Sequence, residues 1–220
     1  MAGNLLIGQS GGPTAVINAS LAGVIEEAKR HPGIGRLLGM RWGIQGLLEE
    51  DLVDLGSEDP ETLALLRTTP SSALGSCRLK VQDDHLPRIL EVFRRFDVRY
   101  FFYIGGDDSQ NTTHRVVRYC LDQGHEVFGI GIPKTVDNDL FGTDHTPGYG
   151  SAARYVALSM QQGGRLARDM QKVDPVLVYQ AVGRDAGWLA AAAALAREQE
   201  SDPPHLIYVP KPYEEELRWI

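Results

Sequence analysis

Pro133-Lys134-Thr135-Val136-Asp137-Asn138-Asp139 gathers a lysine, a hydroxyl and two carboxylates in one short run. In an extended stretch residues two apart share a face, so Asp137 and Asp139 are expected side by side. One carboxylate could then take a proton from a substrate hydroxyl while the other tunes its pKa or binds metal-bound water. Lys134 would bring positive charge to a nearby phosphate. A polar turn is the plainer alternative, because Asp and Asn are common turn formers. It leaves the lysine and the preceding apolar run without a reason.

Two further segments read as phosphate loops. In Gly105-Gly106-Asp107-Asp108-Ser109 the glycines allow close backbone approach, and Asp107 is placed to hold a magnesium ion that bridges phosphate oxygens. Magnesium takes one or two carboxylates and completes its shell with waters and substrate phosphates, so one Asp suffices. The alternative is a helix N-cap, for which Ser109 is suited. Two aspartates beside two glycines exceed what a cap requires. Gly8-Gln9-Ser10-Gly11-Gly12-Pro13 offers backbone N–H groups and a helix N-terminus to an anion. A tight turn that needs glycine for geometry explains it as well. It is neither a Walker loop nor a dinucleotide fingerprint.

Such segments need elements to hold them at the ends of strands. Apolar runs at residues 5–8, 98–104 and 127–132 predict strands that end on the three polar motifs, with later strands at 176–179 and 206–209. Helices are predicted over residues 16–30, 112–122, 150–172 and 188–199, the Ala190–194 run suiting a close-packed helix. Alternation of this kind favours a mostly parallel sheet covered by helices, with ligands beyond the carboxyl ends of the strands. The acidic stretch 49–61 reads as a solvated connection. Residues 214–220 look like the start of a helix cut short on Trp219-Ile220, which predicts a fragment or half of a longer protein.

Composition removes several functions. The chain has 220 residues, enough for one large domain or two lobes, and a net charge of −7 that argues against nucleic acid as a partner. Cys77 and Cys120 are the two cysteines, too few for a disulfide framework or a thiolate zinc site. No apolar stretch approaches the roughly 20 residues that cross a bilayer, and no signal peptide is legible, so a cytoplasmic protein is expected. Trp42 and Trp188 read as packing residues. His114, His145 and His205 lack metal-ligand spacing, and Cys77 reads as a spectator despite its neighbour Arg78.

Taken together, Gly11-Gly12 with Asn18, Gly105-Gly106-Asp107-Asp108-Ser109, the Pro133–Asp139 run and Val182-Gly183-Arg184 resemble the motifs of the phosphofructokinase family in order and spacing. The resemblance covers about residues 4–212. It implies a two-lobed α/β/α, Rossmann-like fold with the active site between lobes, here C-terminally truncated. Residues 1–140 would form the donor-phosphate lobe and 141–220 the incomplete beginning of the sugar-phosphate lobe. Asp137 would be the base for the sugar 1-hydroxyl, with Asp139 beside it. Thr135 would contact the sugar or the moving phosphoryl group, and Asp107 would hold Mg2+. Gly11, Gly12, Arg78, Gly106 and Asp108 would face the donor, and Gly183 and Arg184 the sugar phosphate. A homo-oligomer is implied as well.

The resemblance further implies transfer from pyrophosphate to fructose 6-phosphate. ATP-using relatives carry glycine at the Asp108 position, where a carboxylate crowds and repels an α-phosphate, and commonly glycine at the Lys134 position. An ATP-dependent enzyme of the family remains an alternative, as does a catalytically incomplete fragment or regulatory subunit. A generic nucleotide-binding domain fits the Asp137-Asn138-Asp139 run poorly. The chain departs from the family pattern at Val182, Gln180 and Pro210-Lys211, where the family has Met, Glu and Pro-Glu. The arginine lent across a subunit interface would fall at Pro175, so no such role is assigned.

Overall fold

The computed structural model describes residues 2–210. Lys211 and the helix start expected at 214–220 lie outside the described residues. The chain divides into two compact units, Met1–Lys134 and Thr135–Ile220.

The first unit is a five-stranded sheet in the order β3-β2-β1-β4-β5, with β1 Gly3–Gln9, β2 Ile34–Met40, β3 Leu52–Asp54, β4 Val98–Gly105 and β5 Phe128–Pro133. All neighbours are parallel except the β2–β3 pair. β1 shows why the sheet must be covered on both faces. Its side chains alternate, with Leu6 entering one buried cluster while Leu5 and Ile7 enter the other. The Leu6 cluster takes Ile44 and Leu47 of α2 (Ile44–Glu49), Ile89 and Phe93 of α4 (Leu86–Arg95), and Val116 and Cys120 of α5 (Asp107–Asp122). The opposite cluster takes Ile17, Leu21 and Ile25 of α1 (Ile17–Ala28) and Leu63 of α3 (Pro60–Thr68). The result is the expected α/β/α layering, each buried large side chain contributing roughly 1.5–3 kcal/mol.

The strand order places the candidate site. From β1 the chain winds to β2 and β3 on one side, then crosses to β4 and β5 on the other. The carboxyl ends of β1 and β4 therefore flank the point where the winding direction reverses, the usual ligand position in an open α/β sheet.

Several sequence expectations fail here. β2, β3, α2, α3 and α4 were not anticipated, and the acidic stretch 49–61 contains β3 and the start of α3. At that start Asp59 caps the helix by accepting from Thr62 N at 2.8 Å, and Pro60 occupies its first turn. Helix α5 begins at Asp107, not near residue 112. Two carboxylates in its first turn are favoured by the helix dipole, so the polar segment is helix from its first aspartate.

In the second unit α6 (Tyr149–Asp169) buries Ala153, Val156, Met160 and Gly164, a stripe at helical spacing. It packs on Leu189 and Ala192 of α7 (Trp188–Ala192) and on Ala193 and Ala196 of the 3-10 turn that follows. The helix expected over 188–199 ends early. Asp202 Oδ2 accepts from the N–H groups of Glu198 (3.2 Å) and Gln199 (3.0 Å), taking donors that a continuing helix would pair. The strands expected at 176–179 and 206–209 are not formed. Val176, Val178 and Tyr208 lie 76–85% exposed, because an apolar run becomes a strand only where a ladder partner accepts its backbone bonds. Trp42 and Trp188 are each about half exposed (53%), so neither is a core residue. Trp42 instead lies over Gly75, where a Cβ would come 2.5 Å from its ring.

Candidate functional site

The first unit collects three loops at the carboxyl ends of β1, β4 and β5. After β1 the backbone turns at Gly11, whose φ of 74° disfavours a side chain. A Cβ there would also stand 2.9 Å from Lys134 Nζ. Gly12 is different: a Cβ built on it meets nothing within 4 Å. Packing does not demand glycine at that point, and the open space above it suits the close approach of a ligand.

Lys134 directly follows β5 and is only 3% exposed. Its backbone N–H donates to Gly105 O (3.1 Å), and Nζ donates to Gly12 O at 2.8 Å. The ammonium is thereby fixed on the β1 loop, a point charge at the place where a phosphate would meet the backbone.

After β4 the glycines do separate work. Gly105 leaves room for Ser109, whose Oγ would lie 2.0 Å from a Cβ there. Ser109 is buried within the first turn and is not the N-cap; Gly106 takes that place without a side-chain bond. Asp107 and Asp108 are exposed at this N-terminus. Asp108 Oδ2 pairs with Lys80 Nζ at 3.3 Å, a contact that sequence reasoning missed because nothing in the chain links the two positions.

Arg78 is exposed on an irregular stretch held to the β1 loop by Ser76, whose Oγ donates to Gly11 O at 2.6 Å. Next to it, Cys77 Sγ and Tyr103 Oη lie 3.2 and 3.0 Å from where a Gly43 Cβ would be. Burial raises the Tyr103 pKa well above its ordinary value, against a smaller opposing effect of its bond with Ser10.

The second unit carries the acid pair. Thr135 bridges to Gly148, its N–H donating to Pro147 O (3.2 Å), and its Oγ1 accepts from Asp137 N (3.2 Å). Between the two aspartates Asn138 is buried with φ of 56°. Its Nδ2 donates to Asp144 O (3.0 Å) and its Oδ1 accepts from Thr146 N (2.7 Å). The backbone is therefore turned, not extended, and the shared face expected for Asp137 and Asp139 does not follow. Asn138 is the residue that shapes this loop, and its tolerance of left-handed backbone was the signal available for it. Asp137 is half-buried and Asp139 exposed.

Gly183 and Arg184 form a separate tight turn. Gly183 has φ of 150°, and a Cβ on it would lie 2.3 Å from Ala186 O. Glycine is required there by geometry, while Arg184 projects from an exposed position.

Among the described residues no three His, Cys, Asp or Glu side chains gather as a metal cage. An exposed carboxylate at a helix start nevertheless suits magnesium, which needs only one or two such oxygens beside water and phosphate. No described helix is long and apolar enough to cross a membrane.

The phosphofructokinase family model matches residues 4–217. The chain belongs to the phosphofructokinase family. It is 46% identical over 215 residues to the pyrophosphate–fructose 6-phosphate 1-phosphotransferase of Halomonas elongata, covering 94% of this chain and 51% of that one. The enzyme of the same name from Xanthomonas campestris pv. campestris is 45% identical, with 95% and 51% covered. The crystal structure of pyrophosphate-dependent phosphofructokinase from Marinobacter aquaeolei superposes with a TM-score of 0.85 at 42% identity, over 98% of this chain and 56% of that one. The chain spans about half the length of the relatives it matches.

Proposed function

We propose that this protein transfers a phosphoryl group from pyrophosphate to the 1-hydroxyl of fructose 6-phosphate, as a cytoplasmic homo-oligomeric member of its family. The observation that carries the donor half of this reading is the buried Lys134 ammonium on the loop beside the open face of Gly12. In the first unit, the proposed donor lobe, the N–H groups of the Gly11-Gly12 loop and the Gly106 turn receive phosphate oxygens. Lys134 and Arg78 offset their charge. Asp107 would hold a magnesium ion, which when bound neutralises charge on the phosphate oxygens.

In the second unit Asp137 takes the proton from the 1-hydroxyl as that oxygen bonds to phosphorus. The bridging P–O bond of pyrophosphate breaks and orthophosphate leaves. Thr135 holds the Asp137 backbone through its Oγ1, and Asp139 adds negative charge on the same loop. Arg184, presented by the Gly183 turn, pairs with the sugar phosphate. Such a reaction depends chiefly on positioning and charge neutralisation.

Asp108 supports pyrophosphate over ATP. Its carboxylate, exposed and paired with Lys80, places screened negative charge at the start of α5, and pyrophosphate has no α-phosphate to be repelled by it. The test is fructose 1,6-bisphosphate formation with magnesium and either donor, together with calorimetric titration of each donor. Pyrophosphate turnover and tighter pyrophosphate binding are expected. Binding and turnover with ATP alone would overturn the donor assignment.

A further inference from the structure

β1 is apolar through Leu5, Leu6 and Ile7, yet Gln9 at its end is fully buried (0% exposed). A buried amide is costly unless its hydrogen bonds are made. Those of Gln9 are. Nε2 donates to Ile17 O (3.2 Å) and to Asn18 Oδ1 (2.9 Å). Oε1 accepts from Leu74 N (2.9 Å) and lies 2.9 Å from Ser72 Oγ, whose single proton is shared between it and Gly75 O (2.7 Å). Asn18, 1% exposed, extends the network: Nδ2 donates to Thr69 O (2.9 Å) and Oδ1 also accepts from Ala73 N (2.9 Å).

Residues 69–78 contain no helix or strand after the end of α3. What holds them is this pair of amides, the Ser76 bond to Gly11 O and the Trp42 N–H on Leu74 O (2.8 Å). An apolar residue at position 9 would serve the core equally well, but it would leave the Leu74 N–H without its acceptor and Asn18 Oδ1 without one of its two donors. A fully satisfied buried network fixes a single register where apolar packing does not.

We propose that Gln9 and Asn18 are positioning residues that lock the Arg78-bearing segment onto the Ser10–Gly12 loop, so that both can grip one pyrophosphate. Neither amide touches the donor. They act by fixing the spacing between backbone N–H groups on one side and the Arg78 guanidinium on the other. This inference rests on the donor reading given above.

The test is hydrogen exchange of residues 69–78 and calorimetric titration of magnesium pyrophosphate, on the full chain and on Gln9→Met. Methionine keeps the volume and loses the acceptor. The expected result is faster exchange at Leu74, whose N–H loses its acceptor, with pyrophosphate affinity lowered about tenfold. Leu63→Ala, which loosens the same apolar layer without touching the network, should leave affinity within about twofold. If Gln9→Met does not fold, Ser72→Ala decides, with the same direction and about threefold. Unchanged exchange, or faster exchange with unchanged affinity, overturns the proposal. An equal loss of affinity in Leu63→Ala overturns it too, because the effect would then be general loosening. A parent chain that does not bind pyrophosphate overturns the donor reading and this proposal with it, an outcome distinct from a parent that binds and a variant that binds equally well.

Discussion

Phe101 and Val178 both lie in apolar runs that read as strands, and they end at opposite extremes. Phe101 is fully buried in β4 between two neighbouring strands, and Val178 is 85% exposed on backbone that pairs with nothing in a ladder. β5 lies between these cases. It pairs with β4 along one edge, and its Phe128 and Ile130 remain half exposed. The series teaches that apolarity alone does not bury a segment; a partner for its backbone does. It also separates the two roles proposed for the chain. The loops proposed to take the donor hang from a sheet whose central strands are buried on both faces, while the Gly183–Arg184 turn follows an apolar run left in solvent.

The sharpest way to test that separation is to remove the proposed base. Asp137→Asn should lower fructose 1,6-bisphosphate formation by about 10²–10⁴-fold, the usual worth of a positioned general base. Pyrophosphate affinity should stay within about twofold, because the residues proposed to bind the donor belong to the first unit. A matched fall in pyrophosphate affinity, read by calorimetry, would break the division of labour.

Stability should divide the same way. Phe93, fully buried against Phe101 with ring centroids 5.3 Å apart, should cost about 3–5 kcal/mol when replaced by Ala. Val178→Ser should stay within about 0.5 kcal/mol, as surface changes do. Urea unfolding of the two variants checks this. A large cost at Val178 would mean that the exposed run is covered in solution.

The same contrast explains what the sequence made legible. β1, β4 and β5 were readable because each is a short apolar run ending in glycine or a polar motif. β2 was not, since Gly35, Arg36 and Gly39 break its pattern, and Gly39 is required by Leu55, Leu74 and Val53 packing within about 3 Å of its would-be Cβ. Helix α4 carried a readable signal in Leu86, Ile89, Leu90 and Phe93 at helical spacing, and it was overlooked. The site residues were named by type and motif. The turn at Asn138 was legible as the polar-turn alternative, being local; the Lys80–Asp108 pair and the Gln9–Asn18 network depend on which distant segments meet, which spacing along one chain does not encode. The strands expected at 176–179 and 206–209 failed for the complementary reason, as composition names no ladder partner.

Asp108 offers a smaller test within the first unit. Asp108→Gly should shift preference toward ATP by about tenfold or more, by removing like charge from the place of the α-phosphate. Competition between the two donors measures it. An unchanged preference would assign the selectivity elsewhere.

On the alkaline side pH should act on the first unit, while on the acid side it should act on both, through Glu26 and Asp59 in the first and Asp202 in the second, with the smallest effects of this set. Burial pushes the Cys120 thiol up to about 11 from an ordinary value of 9.0, and it raises the Tyr103 phenol as well. The unfolded thiol ionises first, so this contribution is complete below about pH 9 and is lost as pH rises toward 11. In the second unit Asp202 is held below its ordinary value by the Gln199 N–H and then by the Arg168 side chain. Its contribution is present above the ordinary carboxylate value of 3.8 and is lost as pH falls through the lowered one. Trp42 and Trp188 provide a reporter in each unit, once the other tryptophans are replaced by Phe. The Trp42 urea midpoint should fall between pH 9 and 11, by less in Cys120→Ala, while the Trp188 midpoint holds there; both should fall on the acid side. If both reporters moved together between pH 9 and 11, the units would be unfolding as one cooperative body, and the contrast between their cores would carry no separate stability.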